Sequence, residues 1–237
     1  MSANLREVDV VILCGGLGKR LRPAVSDRPK ILARIGEKTF LDILLEDLTR
    51  NGFENIILCV GYLKNIIKKH FNYGHSYNIT FSEEEKPLGT GGGLKKANAL
   101  IKSSPFVVMN GDSICNINFN DFYEFHVNKK AILSMALVRA EDAQSFGRVI
   151  LDNSQRILSF KEKAGGIDEG LINAGIYLMQ KEILSYMPDE DSFSLEYDFF
   201  PKVIDDRCFG FKIDGELIDI GTPERYEEAK RLMGGMK

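Results

Sequence analysis

The segment from Ile12 to Lys30, ILCGGLGKRLRPAVSDRPK, sets three glycines, three arginines and two lysines directly behind an apolar run. The glycines are Gly15, Gly16 and Gly18; the cations are Lys19, Arg20, Arg22, Arg28 and Lys30. Glycine lets backbone N–H groups approach a ligand closely, and a chain turning out of a strand can form an anion-binding nest. Lys19 and Arg20 would then neutralise a polyphosphate tail. The plainer alternative is a surface loop with solvated charges. Two familiar nucleotide motifs do not apply. A P-loop needs GxxxxGK followed by Ser or Thr, whereas Gly18-Lys19 is followed by Arg20 and position 13 is Leu. A dinucleotide fingerprint needs GxGxxG; Gly16 and Gly18 fit, but the third position is Leu21.

Two aspartates and a second glycine loop add to the set. Asp112 closes the apolar run PFVVMNGD, and Asp219 lies in LIDIG. Carboxylates on neighbouring strand ends can hold Mg²⁺, which prefers oxygen ligands and bridges phosphates. The alternative for each is a turn or capping aspartate, and a lone NGD favours that alternative. PLGTGGGL, Pro87–Leu94, is glycine-rich and runs into a helix pattern.

These groups need elements to hold them. VDVVIL is a short, nearly all-apolar run, as expected of a strand covered on both faces. FLDILLEDLTRNG places Phe40, Leu41, Leu44, Leu45 and Leu48 on one helical face and ends at Gly52. NIILCV, NITFS and PFVVMNGD read as strands, and LKNIIKKHF and GGLKKANALIK as helices. This alternation predicts an α/β fold: a Rossmann-like, mixed but mainly parallel sheet flanked by helices. The second half differs. ILSMALV, GRVILD, ILSFKEK and INAGIYLM follow closely and suggest antiparallel additions. KEILSYM and SLEYDFFPKVID read as helices, and CFGFKI and LIDI as a strand pair before a last helix with Thr222 as N-cap and Pro223 at N1. The expectation is one domain over 1–237, with a sheet-extending lobe at about 132–215. In such sheets ligands sit outside the carboxyl ends of the strands. The loop after Leu13, Asp112 and Asp219 all fall at such ends, which argues for one shared site.

The bulk numbers set limits. With 237 residues, 44% hydrophobic and 27% charged, the chain reads as globular and needs no metal or disulfide to hold a core. A net charge of −3 argues against general nucleic-acid binding. No apolar stretch approaches the roughly 20 residues that span a bilayer, and MSANLREVDV lacks the pattern of a secretory signal. Cys14, Cys59, Cys115 and Cys208 are widely spaced, without CxxC or zinc spacing. They read as reduced, buried thiols of a cytoplasmic protein, with no membrane or nucleic-acid partner. His70, His75 and His126 share no ligand spacing, and Phe119, Phe122 and Phe125 read as core.

GGLGKRLRPAVSDRPK resembles the signature of the sugar-1-phosphate nucleotidylyltransferases, GGxGTRLxPxTxxxPK. The glycines, Arg20, Leu21, Pro23, Pro29 and Lys30 match, while Lys19 stands where Thr is usual and Ile31 where a second Pro often follows. EEKPLGTGGGL, VVMNGDSI, FKEK, INAGIYLM and IDIGTPERYEEA extend the resemblance in order over nearly the whole chain. Length and the segments SFGRV and SFSLEYDFFPKV look most like the heptose-1-phosphate guanylyltransferase branch; mannose-1-phosphate guanylyltransferases are close relatives. The resemblance implies NTP plus sugar 1-phosphate giving NDP-sugar and pyrophosphate, with Mg²⁺ on Asp112 and Asp219. It implies Arg20 and Lys30 as catalytic cations, and Leu13, Gly15, Gly16, Gly18, Lys19, Glu85, Pro87, Gly89 and Thr90 around the nucleotide. It implies Asn110, Gly147, Glu162, Lys163, Asn173 and Gly175 around the sugar phosphate. A homodimer is left open.

Glu85 stands just before KPLG, where that family reads the base. Guanine offers adjacent N1–H and N2 donors, which a carboxylate accepts together; uracil and thymine suit an amide better. GTP is therefore the expected donor. Glu83, Glu84 and Glu85 also read as a solvated acidic run. Other readings are a mannose- or glucose-1-phosphate nucleotidyltransferase using another NTP, a non-catalytic nucleotide-sugar sensor on the same fold, and a nicotinamide dehydrogenase. The last would need Asp42 as its ribose ligand, and Asp42 lies in an amphipathic helix.

Overall fold

The structure is a computed structural model that describes residues 4–71, 78–141, 146–162 and 169–234. A nine-stranded sheet runs through it in the order β10-β9-β11-β6-β1-β4-β5, with β8 paired to β11 and β12 paired to β8. Parallel pairing joins β5 (Asn78–Glu83), β4 (Asn55–Val60), β1 (Asp9–Leu13) and β6 (Phe106–Asn110). The mainly parallel character expected from the first half stops there. β11 (Gly170–Met179) lies antiparallel to β6, as do β8 (Leu133–Ala140) and β9 (Gly147–Leu151) to β11. β10 (Ile157–Glu162) pairs antiparallel with β9, and β12 (Cys208–Ile213) returns parallel to β8.

Alternation along β1 divides the core. Val10 and Ile12 pack into one buried cluster with Phe40, Leu41, Leu44, Leu45 and Leu48 of α1 (Phe40–Arg50), Phe119 and Phe122 of α4 (Phe119–Asn128) and Tyr226 of α6 (Pro223–Met233). Val11 faces the other cluster with Leu94 of α3 (Gly89–Ala97) and Phe200 of α5 (Phe200–Val203). Thr39 and Asp42 form a capping box that starts α1 after the short hairpin of β2 (Arg34–Ile35) and β3 (Lys38–Thr39). α2 (Lys64–His70) joins β4 towards β5.

Three sequence expectations need correction. CFGFKI and LIDI do not pair with each other. CFGFKI is β12, on the main sheet, and β13 (Leu217–Asp219) pairs with β7 (Ser113–Cys115). SLEYDFFPKVID is not one helix. A π turn at Leu195–Phe199, closed by Phe200 N–H donating to the Leu195 carbonyl, precedes the single turn of α5, whose first turn tolerates Pro201. KEILSYM forms a 3₁₀ helix at Lys181–Tyr186. The four cysteines are free and buried.

Candidate active site

A cleft of about 450 Å³ opens at the carboxyl ends of β1 and β6. Its lining includes Leu13, Gly15, Gly16, Gly18, Lys19, Arg20, Lys30, Pro87, Gly89, Thr90, Asn110 and Asp112, residues far apart in the chain. Packing between strand ends builds it. Gly111 N–H donates to the Leu13 carbonyl at 3.1 Å, and Cys14 N–H donates to the Cys59 carbonyl at 3.0 Å. Gly18 has φ +59°, which turns the loop back over Lys30. A Cβ at Gly16 would meet no atom of the described residues within 4 Å, and this glycine lines the cleft.

Gly15 and Gly93 have a different reason to be glycine. A Cβ at either would stand 2.6 or 2.8 Å from Glu84 Oε1. Glu84 is buried at 7% exposure and lines the cleft, with Oε2 accepting from Leu88 N–H at 3.2 Å. Burial pushes its carboxyl pKa up. Glu85, the expected base reader, points away: its side chain is 83% exposed and pairs with Lys64 at 2.7 Å. The cause is strand alternation. Ser82 on β5 is buried, Glu83 turns out to Lys68 at 2.6 Å, and Glu84 turns in again, its N–H donating to Val60 at 2.7 Å. Of the three consecutive glutamates, the one that lines the cleft is therefore Glu84.

Asp112 and Asp219 are brought together by the β7–β13 pair. Asp219 lies opposite Ser113, and Ile220 N–H donates to the Asp112 carbonyl at 3.0 Å. Each carboxylate is matched by a cation. Lys30 Nζ lies 2.5 Å from Asp112 Oδ2, and Arg225 Nη1 lies 3.1 Å from Asp219 Oδ2. Asp219 Oδ1 accepts from Gly221 N–H at 2.7 Å. No group of three or more His, Cys, Asp or Glu side chains converges among the described residues. That donor set fits magnesium, which takes one or two carboxylates and completes its shell with waters and phosphate oxygens. It does not form a closed protein cage.

The sugar-side candidates gather where β11 changes partners. Leu171 and Ile172 pair with β9, while Ile176 to Met179 pair with β6. Gly175, with φ +73°, stands at the change, and a Cβ there would meet Asn110 Nδ2 at 2.8 Å. Asn173 is 9% exposed and turned inward: its Nδ2 donates to the Tyr177 hydroxyl at 2.7 Å, and its Oδ1 accepts from Gly175 N–H at 2.9 Å. It holds the bend rather than presenting a free amide. Asn110 Oδ1, by contrast, is buried with no hydrogen-bond partner among the described residues. Gly147 lies opposite Glu162, whose Oε2 fills the space a Cβ would need, at 2.5 Å. Lys163 lies outside the described residues. Thr90 donates to Glu196 Oε2 at 2.6 Å, as does Ser194 at 2.7 Å. Glu84, Glu196 and Arg225 are the charged groups that motif reading missed. For Glu84 the strand period carried the signal; Glu196 sits in a segment read only as helix.

Cys14 and Cys59 also line the cleft, and burial keeps both as neutral thiols, Cys59 pushed up to about 12. As neutral thiols they bring no negative charge to the cleft.

Comparison with known proteins agrees with the fold. The nucleotidyl transferase family matches residues 9–234. The chain is 38% identical over 226 residues to D-glycero-alpha-D-manno-heptose 1-phosphate guanylyltransferase of Aneurinibacillus thermoaerophilus, covering 94% of this chain and 97% of that one. The protein of the same name from Campylobacter jejuni is 35% identical, with 92% and 97% covered. The crystal structure of HddC from Yersinia pseudotuberculosis superposes with a TM-score of 0.85 at 36% identity, covering 95% of this chain and 99% of that one, and HddC has also been solved with GMP-PN. Matched by the family over residues 9–234 and by relatives over nearly its whole length, this chain belongs to the nucleotidyl transferase family of enzymes.

Proposed function

We propose that the enzyme transfers a guanylyl group from GTP to D-glycero-α-D-manno-heptose 1-phosphate, releasing pyrophosphate. An oxygen of the sugar phosphate attacks the α-phosphorus of GTP, a new P–O bond forms, and the bond from the α-phosphorus to the bridging oxygen of pyrophosphate breaks. The attacking oxygen is already anionic, so no general base is required. The protein's work is to align two anions and neutralise their charge. Gly15, Gly16 and Gly18 leave room for the nucleotide, and Lys19 and Arg20 meet its outer phosphates. Lys30 leaves Asp112 for the α-phosphate. Asp112 and Asp219 hold Mg²⁺, which supplies charge neutralisation where the two anions meet. Glu162, Gly147 and Asn110 surround the sugar, and Lys163 belongs to its phosphate.

The observation that carries the base is the buried carboxylate of Glu84 between Gly15 and Gly93. It accepts guanine's two adjacent donors, whereas the acceptor-rich edges of uracil and thymine would leave it repelled. The similarity to two heptose-phosphate guanylyltransferases over nearly the whole chain supports the sugar. The buried thiols fit a cytoplasmic setting, and no helix of the described residues is long and apolar enough to cross a membrane. The test is pyrophosphate release from the four common NTPs against heptose, mannose and glucose 1-phosphates. The expected result is release with GTP and the heptose phosphate that requires both substrates. Equal NTP hydrolysis without any sugar phosphate would overturn the transfer reading, and preferred use of UTP would overturn guanine.

A further inference from the structure

Arg225 is a cation of this site that no glycine loop or paired-aspartate motif points to. It sits in the first turn of α6, and its backbone N–H donates to the side chain of the N-cap Thr222 at 3.4 Å. Its guanidinium leans back over the helix start. Nη1 lies 3.1 Å from Asp219 Oδ2, and the guanidinium carbon stands 4.3 Å from the centre of the Phe146 ring. The side chain keeps 26% of its surface exposed. Phe146 immediately precedes Gly147 at the head of β9, opposite Glu162. One guanidinium therefore spans two parts of the site: the β13 end that carries Asp219 beside Asp112, and the β9 end that lies against Glu162.

The phosphate of a sugar 1-phosphate has to bridge the same two parts. Its sugar lies with the β9 and β10 residues, and its attacking oxygen must reach the nucleotide beside the two aspartates. A guanidinium suits that phosphate better than an ammonium would, because its planar fork of five N–H donors matches two phosphate oxygens at once. The Phe146 contact holds the guanidinium carbon over the ring. The ion pair through Nη1 engages at most two of the five donors.

We propose that Arg225 grips the phosphate of the sugar 1-phosphate, positioned by Asp219 on one edge and by the Phe146 ring beneath it. This rests on the nucleotidyl-transfer reading above. A purely structural pin between α6 and Asp219 would use the same ion pair but would not touch substrate, and binding measurements separate the two. The full chain is compared with Arg225→Met, Arg225→Lys and Phe146→Leu. Binding of D-glycero-α-D-manno-heptose 1-phosphate is followed by calorimetry with a non-hydrolysable GTP analogue and Mg²⁺ present, alongside the KM values for both substrates. Inhibition by the unphosphorylated heptose is measured in parallel.

The expected result is a rise of at least about tenfold in Kd and KM for the sugar 1-phosphate in Arg225→Met. The KM for GTP stays within about twofold, and inhibition by the free sugar is unchanged. Arg225→Lys recovers part of the loss, and Phe146→Leu falls between. Should Arg225→Met fail to unfold cooperatively, Arg225→Gln and Phe146→Leu carry the same comparison. An unchanged Kd for the sugar 1-phosphate, or an equal loss for GTP, overturns the assignment. A parent enzyme that turns over no sugar 1-phosphate overturns the transfer reading itself. An active parent with unaltered binding in the variants overturns Arg225 alone.

Discussion

Replacing Glu84 with Gln is the most discriminating change in the nucleotide half of the cleft. The side chain keeps its length, and its amide oxygen can still accept from Leu88 N–H, now at 3.2 Å, so the loop entering α3 keeps its anchor. What changes is the face offered to the base. The carboxylate accepts guanine N1–H and the N2 amine together, while the amide accepts one and sets an NH₂ against the other. A hydrogen bond to a charged group contributes roughly 1.5–3 kcal/mol, and an unpaired buried donor costs about 1–3 kcal/mol. A net loss of about 2–3 kcal/mol corresponds to roughly a 30- to 150-fold fall in kcat/KM for GTP. Activity with UTP should hold or rise. ITP, which lacks the 2-amino group, adds a finer comparison. The parent should prefer GTP over ITP, and Glu84→Gln should erase that preference. Glu85→Gln, at an exposed position paired with Lys64, is the control and should leave the GTP to UTP ratio within about twofold. The reasoning fails if Glu84→Gln leaves that ratio intact, or if Glu85→Gln is the change that erodes it.

The same carboxylate predicts a pH effect whose sign is fixed by burial. The Glu84 pKa is raised, so in the free enzyme the proton is held to higher pH than in the unfolded chain. Any stability this gives is present at acid pH and lost as pH rises through the folded pKa. Guanine's donors favour the ionised form, so GTP binding releases protons and weakens as pH falls towards that raised pKa. Calorimetry in two buffers of different ionisation enthalpy reads the release directly, and it should vanish in Glu84→Gln.

Asp112→Asn and Asp219→Asn should each lower turnover at least about a hundredfold, since each removes a charge from the proposed metal site; full activity at limiting Mg²⁺ would remove that residue from it. Gly16→Ala should fold normally, because its Cβ meets no atom of the described residues within 4 Å, yet raise the GTP KM about tenfold by intruding on the ligand. A lowered melting temperature with unchanged KM would refute the open-cleft reading. His126 is buried against Ser134 and Gln180, and burial holds its pKa down to about 4 from 6.5. Its stabilisation is present above pH 6.5 and lost as pH falls towards 4, about 3 kcal/mol in all. Urea midpoints across that range should show the slope, and His126→Gln should flatten it.

How far the site could be read in advance depended on whether its information was local. The glycine loop was legible because one stretch holds both the glycines and the cations, and a strand must precede it. Asp112 and Asp219 were legible as strand-end carboxylates, although nothing local revealed that β7 and β13 would pair and set them side by side. Glu85 was misplaced because motif spacing was followed where strand period governs. Counting by two from buried Ser82 lands on Glu84, and the Lys64 and Lys68 partners that draw Glu85 and Glu83 outward lie on a separate helix. Asn173 is as buried as its place on β11 implied, but a register change and the left-handed Gly175 turn its amide inward to Tyr177. Arg225 was out of reach for the strongest reason. In the sequence it is one more charge in the first turn of a capped helix. Only when the residue before β9, Phe146, comes beneath it and β13 brings Asp219 beside it does that charge acquire fixed neighbours. A cation held on two sides by residues far apart in the chain, and still a quarter exposed, is placed to meet a ligand as well as its partners.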